Sequence, residues 1–235
     1  VPGAPAYNLG DALSYGWKKF QENVTQILLA ALALFVVYAI AAAIAFGFIA
    51  LFTSNATCEV NTTTGRFACE DGSGFLWRMI VTGIATGFLF VVLQVVGAGI
   101  IRGALGITEG RPFQVSEMFK TEGIGPVIVA SLIVGVLTGV GYILCYLPGI
   151  AIAFATSYTL FFVIDQKLSP VDAIKASFDL VKNNLANTVV WYIVGGLVAV
   201  AGAIACGVGL LVTVPLVIIG SAYTYKTLTG APVAP

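Results

Sequence analysis

Histidine is absent from this chain, methionine occurs twice, and only 9% of the 235 residues are charged. Without His, the commonest metal ligand and proton shuttle are missing, and no Ser/His/Asp or Cys/His nucleophile set can be assembled. Eleven basic and eleven acidic residues cancel, so there is no basic surplus of the kind that binds nucleic acid. The four cysteines form no CxxC pair, which argues further against a metal centre. Neither a metal nor a cofactor is expected, and no nucleic-acid partner.

What fills the chain is apolar. Hydrophobic residues make up 59% of it and the mean hydropathy is +1.00, whereas an average soluble domain carries about 25% charged residues. This is the composition of an integral membrane protein. A helix rising about 1.5 Å per residue crosses a hydrocarbon core of about 30 Å in about 20 residues. Six runs meet or approach that length: Val24 to Thr53, Phe75 to Ile101, Gly125 to Tyr146, Pro148 to Ile164, Ala186 to Ala205 and Val208 to Tyr225. The stretches "CYLPG" (Cys145 to Gly149) and "CGVG" (Cys206 to Gly209) divide two long apolar blocks into hairpins, because Pro and Gly punctuate helices. The expected fold is all-α and polytopic, with six transmembrane helices. The opening "VPGAPA" lacks the basic segment and apolar core of a signal peptide. Both ends, "VPGAPAY" and "TGAPVAP", read as flexible tails of a chain that extends further.

Basic residues set the orientation, since short cytoplasmic loops collect Lys and Arg. Six spans place Lys18, Lys19, Arg102, Arg111, Lys120, Lys167, Lys175, Lys182 and Lys226 on one side and only Arg66 and Arg78 on the other. Both termini are therefore expected in the cytoplasm. The loop 53–74 then faces an oxidising compartment, where Cys58 and Cys69 are expected to form a disulfide closing a small hairpin around Gly65. Cys145 and Cys206 fall in the two other outward turns, so a second bridge is geometrically open, the alternative being buried thiols that act as small hydrophobes.

The longest polar stretch, "SPVDAIKASFDLVKNNL" (Ser169 to Leu185), writes an amphipathic helix. Its apolar residues Val171, Ile174, Phe178, Val181 and Leu185 recur in steps of three and four, opposite Asp172, Lys175, Asp179, Lys182 and Asn183. Ser169 is placed to cap it, with Pro170 at the first position and Asp172 as capping-box acid. The N-terminal "NLGDALSYGWKKFQENV" matches it at an offset of 161 positions, which sets Asn8 on Ser169, Asp11 on Asp172, Ala12 on Ala173, Trp17 on Phe178 and Phe20 on Val181. A shorter version, "GRPFQVSEMFKTEGIGP", precedes the third span. The chain thus reads as three parallel repeats, about 8–101, 111–165 and 169–226, each an interfacial amphipathic helix followed by a transmembrane hairpin. Trp17, Phe20, Phe178 and Val181 are the expected interfacial anchors, with membrane lipids as partners.

The segment "YLPGIAIAFATSYTLFFVIDQKLSPVDAIKASFDLVKNN" and the ending "VPLVIIGSAYTYKTLTG" resemble bacterial multi-span proteins related to the membrane domain attached to some glycerophosphodiester phosphodiesterases, with stand-alone actinobacterial versions closest in style. The resemblance covers about two thirds of the chain. It implies a six-span bacterial inner-membrane protein and transfers no catalytic residue, because the phosphodiesterase domain is not in this sequence.

Ionisable residues at mid-bilayer depth usually mark function, and the spans hold essentially none. Arg78, Arg102, Asp165 and Lys226 sit near span ends, where long side chains reach the interface. Gln94 is the one strongly polar side chain deep in a span, read as a hydrogen bond between helices or a ligand contact. The Gly-x-x-x-Gly pairs Gly83/Gly87, Gly99/Gly103 and Gly135/Gly139 are expected to let helix backbones approach, or to form a partner groove where they face lipid. The leading functional expectation is a non-catalytic accessory or scaffold subunit that packs against other integral membrane subunits of a transport or respiratory complex. The alternative is a carrier or channel for a lipidic or apolar small molecule, as a homo-oligomer. A membrane enzyme is disfavoured because the spans lack acid-base residues.

Overall fold

The computed structural model describes residues 7–53, 57–61, 66–70, 74–120, 122–144, 146–204 and 209–235. The order is α1 (Leu9–Glu22), α2 (Val24–Phe52), β1 (Thr57–Asn61), β2 (Arg66–Glu70), α3 (Phe75–Thr108), a 3-10 turn (Val115–Phe119), α4 (Ile124–Leu144), α5 (Tyr146–Ala155), α6 (Thr159–Asp165), α7 (Pro170–Asn183), α8 (Leu185–Ile204) and α9 (Leu210–Leu228). Among the described residues, six helical stretches are long and apolar enough to cross a membrane: Val24–Phe52, Phe75–Thr108, Ile124–Tyr142, Tyr146–Asp165, Leu185–Ile204 and Leu210–Leu228. The all-α expectation needs one amendment. β1 and β2 pair antiparallel, with Thr57, Val60 and Phe67 among the residue types that favour extended backbone. Cys58 stands opposite Cys69 in this register. The side chains of Cys58 and Cys69, and Cys145 and Cys206 altogether, lie outside the described residues, and the expected disulfides fall there.

The chain divides into two compact units, one formed by residues up to Leu32 together with Gln94–Pro235, the other by Ala33–Leu93. In the larger unit, α1 and α7 are built alike. Asn8 Oδ1 accepts from Gly10 N at 2.9 Å and Ser169 Oγ from Asp172 N at 3.3 Å, each relieving an orphan donor of a first turn. At the other ends, Asn23 Nδ2 donates to the Lys19 carbonyl at 2.9 Å and Asn184 Nδ2 to the Leu180 carbonyl at 3.0 Å. Each asparagine is followed at once by a span, α2 or α8.

The buried faces of these helices differ from the apolar stripes expected of them. α1 buries Ala12, Gly16 and Phe20, and α7 buries Ala173, Ser177, Leu180 and Val181. Phe20 and Val181, at 5% and 3% exposure, are core residues and not interfacial anchors, whereas Trp17 and Phe178 are half-exposed. Small residues explain the difference, because they let backbones meet. A Cβ on Gly16 would stand 2.9 Å from the Leu216 carbonyl of α9, and one on Gly220 would overlap the Trp191 ring. Gly141 and Gly149 bring α4 against α5 in the same way, and Gly202 packs on Thr213.

The fourth span is interrupted. α5 ends at Ala155 and α6 begins at Thr159, so the helix ladder breaks inside a segment long and apolar enough to lie in hydrocarbon. Backbone groups freed at such depth need partners within the protein. Ser177 of α7 supplies them, its hydroxyl donating to the Ala155 carbonyl at 2.8 Å and accepting from Tyr158 N at 3.1 Å.

In the smaller unit, Ala41 and Ala45 of α2 and Val81 and Ala85 of α3 are the buried apolar positions. Trp77 Nε1 donates to the Phe52 carbonyl at 2.6 Å, fixing the two helix ends that flank the β1–β2 pair.

Candidate functional site

Charged side chains of the larger unit gather where α3, α6 and α9 end. Lys226, in the last turn of α9 and 7% exposed, sends its Nζ to Asp165 Oδ1 at 2.6 Å and to Glu109 Oε1 at 3.2 Å. Asp165 is the last residue of α6, and Glu109 directly follows α3. Arg111 closes the other side of Glu109, Nη2 to Oε2 at 2.7 Å. Tyr225, fully buried, donates its hydroxyl proton to Asp165 Oδ2 at 3.0 Å and accepts from Gln166 Nε2 at 3.1 Å. Its ring lies edge-on to Phe162 at 5.0 Å and stacked with Phe161 at 5.5 Å. Burial pushes the Glu109 carboxyl upward, but hydrogen bonds from Arg111 and Lys226 outweigh it and hold the group below its ordinary 4.5.

Each charge in this cluster already has a partner, so its chemistry is that of a clamp. A cation entering between Glu109 and Asp165 would have to displace the Lys226 ammonium, and among the described residues no three His, Cys, Asp or Glu side chains converge on a metal position. Beside the cluster opens a cavity of about 450 Å³, lined by Arg102, Glu109, Arg111, Glu122, Asp165 and Lys167 among others. A second, aromatic groove of about 380 Å³ runs along Tyr158, Phe161, Trp191 and Tyr192 to Gly195 and Val217, with Trp191 Nε1 donating to Ser221 Oγ at 3.0 Å.

Gln94 lines neither cavity, and its amide has no hydrogen-bond partner among the described residues, so the expected link between helices is not formed there. The glycine pairs also divide differently from expectation. Gly103 packs against the Phe113 ring and Gly99 is buried, whereas a Cβ on Gly83, Gly87, Gly135 or Gly139 would meet no atom within 4 Å. Sequence reasoning placed Asp165 and Lys226 singly at span ends and missed their pairing with each other and with Glu109. The available signal was one ionisable residue at or just beyond the last turn of three spans, where an unpaired charge would be costly.

An uncharacterized protein of Mycobacterium bovis and one of Mycobacterium tuberculosis are each 28% identical to this chain over 244 residues, covering 99% of it and 74% of the relative. No family model matches the chain. No solved structure matches it either.

Proposed function

We propose that this chain is a non-catalytic scaffold subunit of the bacterial inner membrane that packs against other integral subunits of a larger assembly, such as a transport or respiratory complex. The observation that carries this reading is a lane on α3 in the smaller unit. Thr82, Gly83, Thr86 and Gly87 lie side by side and exposed within a membrane-length helix, and the glycine positions open onto empty space. Small-residue lanes of this kind let a second helix approach closely enough for backbone packing, the main source of helix association in lipid. The self-neutralised cluster around Lys226 fits a subunit that holds shape, because its acids and bases are committed to one another.

In the same reading the chain is three repeats of amphipathic helix plus hairpin. The support is the shared caps and the buried positions of α1 and α7, Ala12 with Ala173, Gly16 with Ser177 and Phe20 with Val181, at the offset of 161 positions. Both termini are assigned to the cytoplasm from the distribution of Lys and Arg. A Cys58–Cys69 disulfide is assigned from their opposed register, and kinship with the glycerophosphodiester phosphodiesterase membrane domain rests on the motifs quoted above. The test is purification of the tagged full chain from native membranes in mild detergent, read by native gel mobility and mass spectrometry. A stoichiometric complex with other membrane subunits is expected, and a partner-free monodisperse monomer would overturn the proposal.

A further inference from the structure

The cavity beside the ion cluster carries charge that the cluster does not absorb. Arg111 and Lys226 are matched by Glu109 and Asp165. Arg102, Lys167 and Glu122 remain among the lining residues, with one positive charge in excess. Arg102 donates from Nη1 to the Lys120 carbonyl at 2.6 Å and from Nη2 to the Glu122 carbonyl at 2.5 Å. These neutral acceptors hold the guanidinium in place without cancelling its charge, and its other N–H groups stay available. Lys167 makes no hydrogen bond or ion pair among the described residues, and its backbone sits at φ +53°, a left-handed conformation unusual for a residue with a side chain. Its left-handed backbone is that of a residue ending a helix, directly after the C-cap Gln166 of α6, and it leaves the side chain exposed on the cavity wall.

The depth of the cavity narrows the ligand. Its walls are the last turns of α3 and α6 and the first turn of α4, with Leu105, Pro126 and Val163 forming the apolar part. These are the ends of membrane-length helices, where a bilayer presents its headgroups. We propose that this cavity binds a phosphate group, with Arg102 and Lys167 as its cationic ligands and the phosphodiester of an anionic phospholipid as the source. Arg is suited to such a contact by its planar fork, and Lys as a point charge. The apolar wall accepts the glycerol and the first acyl carbons, which a purely polar anion would leave uncovered.

The test uses the delipidated full chain in detergent, titrated with phosphatidylglycerol, with diacylglycerol, and with inorganic phosphate, and read by native mass spectrometry and thermal unfolding. Phosphatidylglycerol is expected to bind and stabilise the wild type. Arg102→Gln or Lys167→Gln is expected to weaken it about tenfold, the scale of one lost charge-assisted contact. Lys175→Gln, an exposed cation of α7 outside the cavity, is expected to leave it unchanged. Inorganic phosphate that stabilises the wild type, in competition with the lipid and dependent on the same two residues, would keep the phosphate site and reassign its source to solution. Equal binding of diacylglycerol, or unchanged phosphatidylglycerol binding in Lys167→Gln, would overturn it. The Lys167 variant decides the matter even where Arg102→Gln fails to fold through loss of its two carbonyl contacts.

Discussion

Lys226 Nζ lies 2.6 Å from Asp165 Oδ1 although 61 positions separate the two residues in the chain. Each stands in the last turn of a helix that ends a membrane-length segment, so the pair fastens α9 to α6, and Glu109 extends the fastening to the end of α3. Removing one partner of a buried ion pair strands the other charge, at a cost of about 3–5 kcal/mol. Lys226→Met is therefore expected to lower thermal stability in detergent strongly, and Lys226→Met combined with Asp165→Leu to recover part of the loss. Arg111→Met is expected to cost far less, because that side chain is 63% exposed.

The clamp also has a pH dependence. Glu109 has a lower pKa folded than unfolded, so the stability it contributes is present above the unfolded value and lost as pH falls through the folded one. Unfolding temperature measured against pH is expected to drop as the solution is taken below 4.5, the ordinary value for this group. Glu109→Gln is expected to start lower at neutral pH and to show a shallower drop in the same window.

Ser177 answers the break between α5 and α6. Ser177→Ala leaves the Ala155 carbonyl and the Tyr158 N–H without their side-chain partner, and an unsatisfied buried polar group costs about 1–3 kcal/mol. The variant is expected to unfold at a lower temperature, and its Tyr158 amide to exchange faster with deuterium than in the wild type.

Glycines separate into two groups with opposite expectations. Gly16→Ala forces a methyl against the Leu216 carbonyl, an overpacking cost of about 1–3 kcal/mol. Gly135→Ala meets open space, so helix propensity alone applies and stability is expected to rise by up to about 1 kcal/mol. Thermal unfolding of the two variants side by side checks both signs.

The spans, the caps at Asn8 and Ser169 and the β1–β2 pairing were legible because each rests on local chemistry: apolar length, a side-chain oxygen before a helix, turn residues between the two cysteines. The packing was less so. Hydrophobic periodicity identified Phe20 and Val181 as apolar-face residues, but in a membrane protein an apolar face meets either lipid or protein, and periodicity does not distinguish them. The contacts that bind α1 to α9 and α7 to α6 run through Ala12, Gly16, Ala173 and Ser177, residues too small to register in a hydrophobic pattern. Of the spaced pairs, only Gly99 with Gly103 leads to a close approach, Gly103 on the Phe113 ring, whereas Gly83, Gly87, Gly135 and Gly139 open onto space and other close approaches occur at Gly16, Gly141, Gly149, Gly202 and Gly220. Which glycine faces a neighbour is decided by the partner helix, and a single-helix motif does not contain it. The ion cluster was hidden for a related reason, since Glu109, Asp165 and Lys226 belong to three distant segments that only the fold brings together.

The scaffold reading is tested most directly by placing a photo-crosslinking amino acid at Gly83 or Gly87, and as a control at Lys175, in the full chain within native membranes. The account predicts a discrete protein adduct of defined mass from the α3 positions and none from the control. Crosslinks from Gly83 and Gly87 to lipid alone, with no protein adduct, would contradict it.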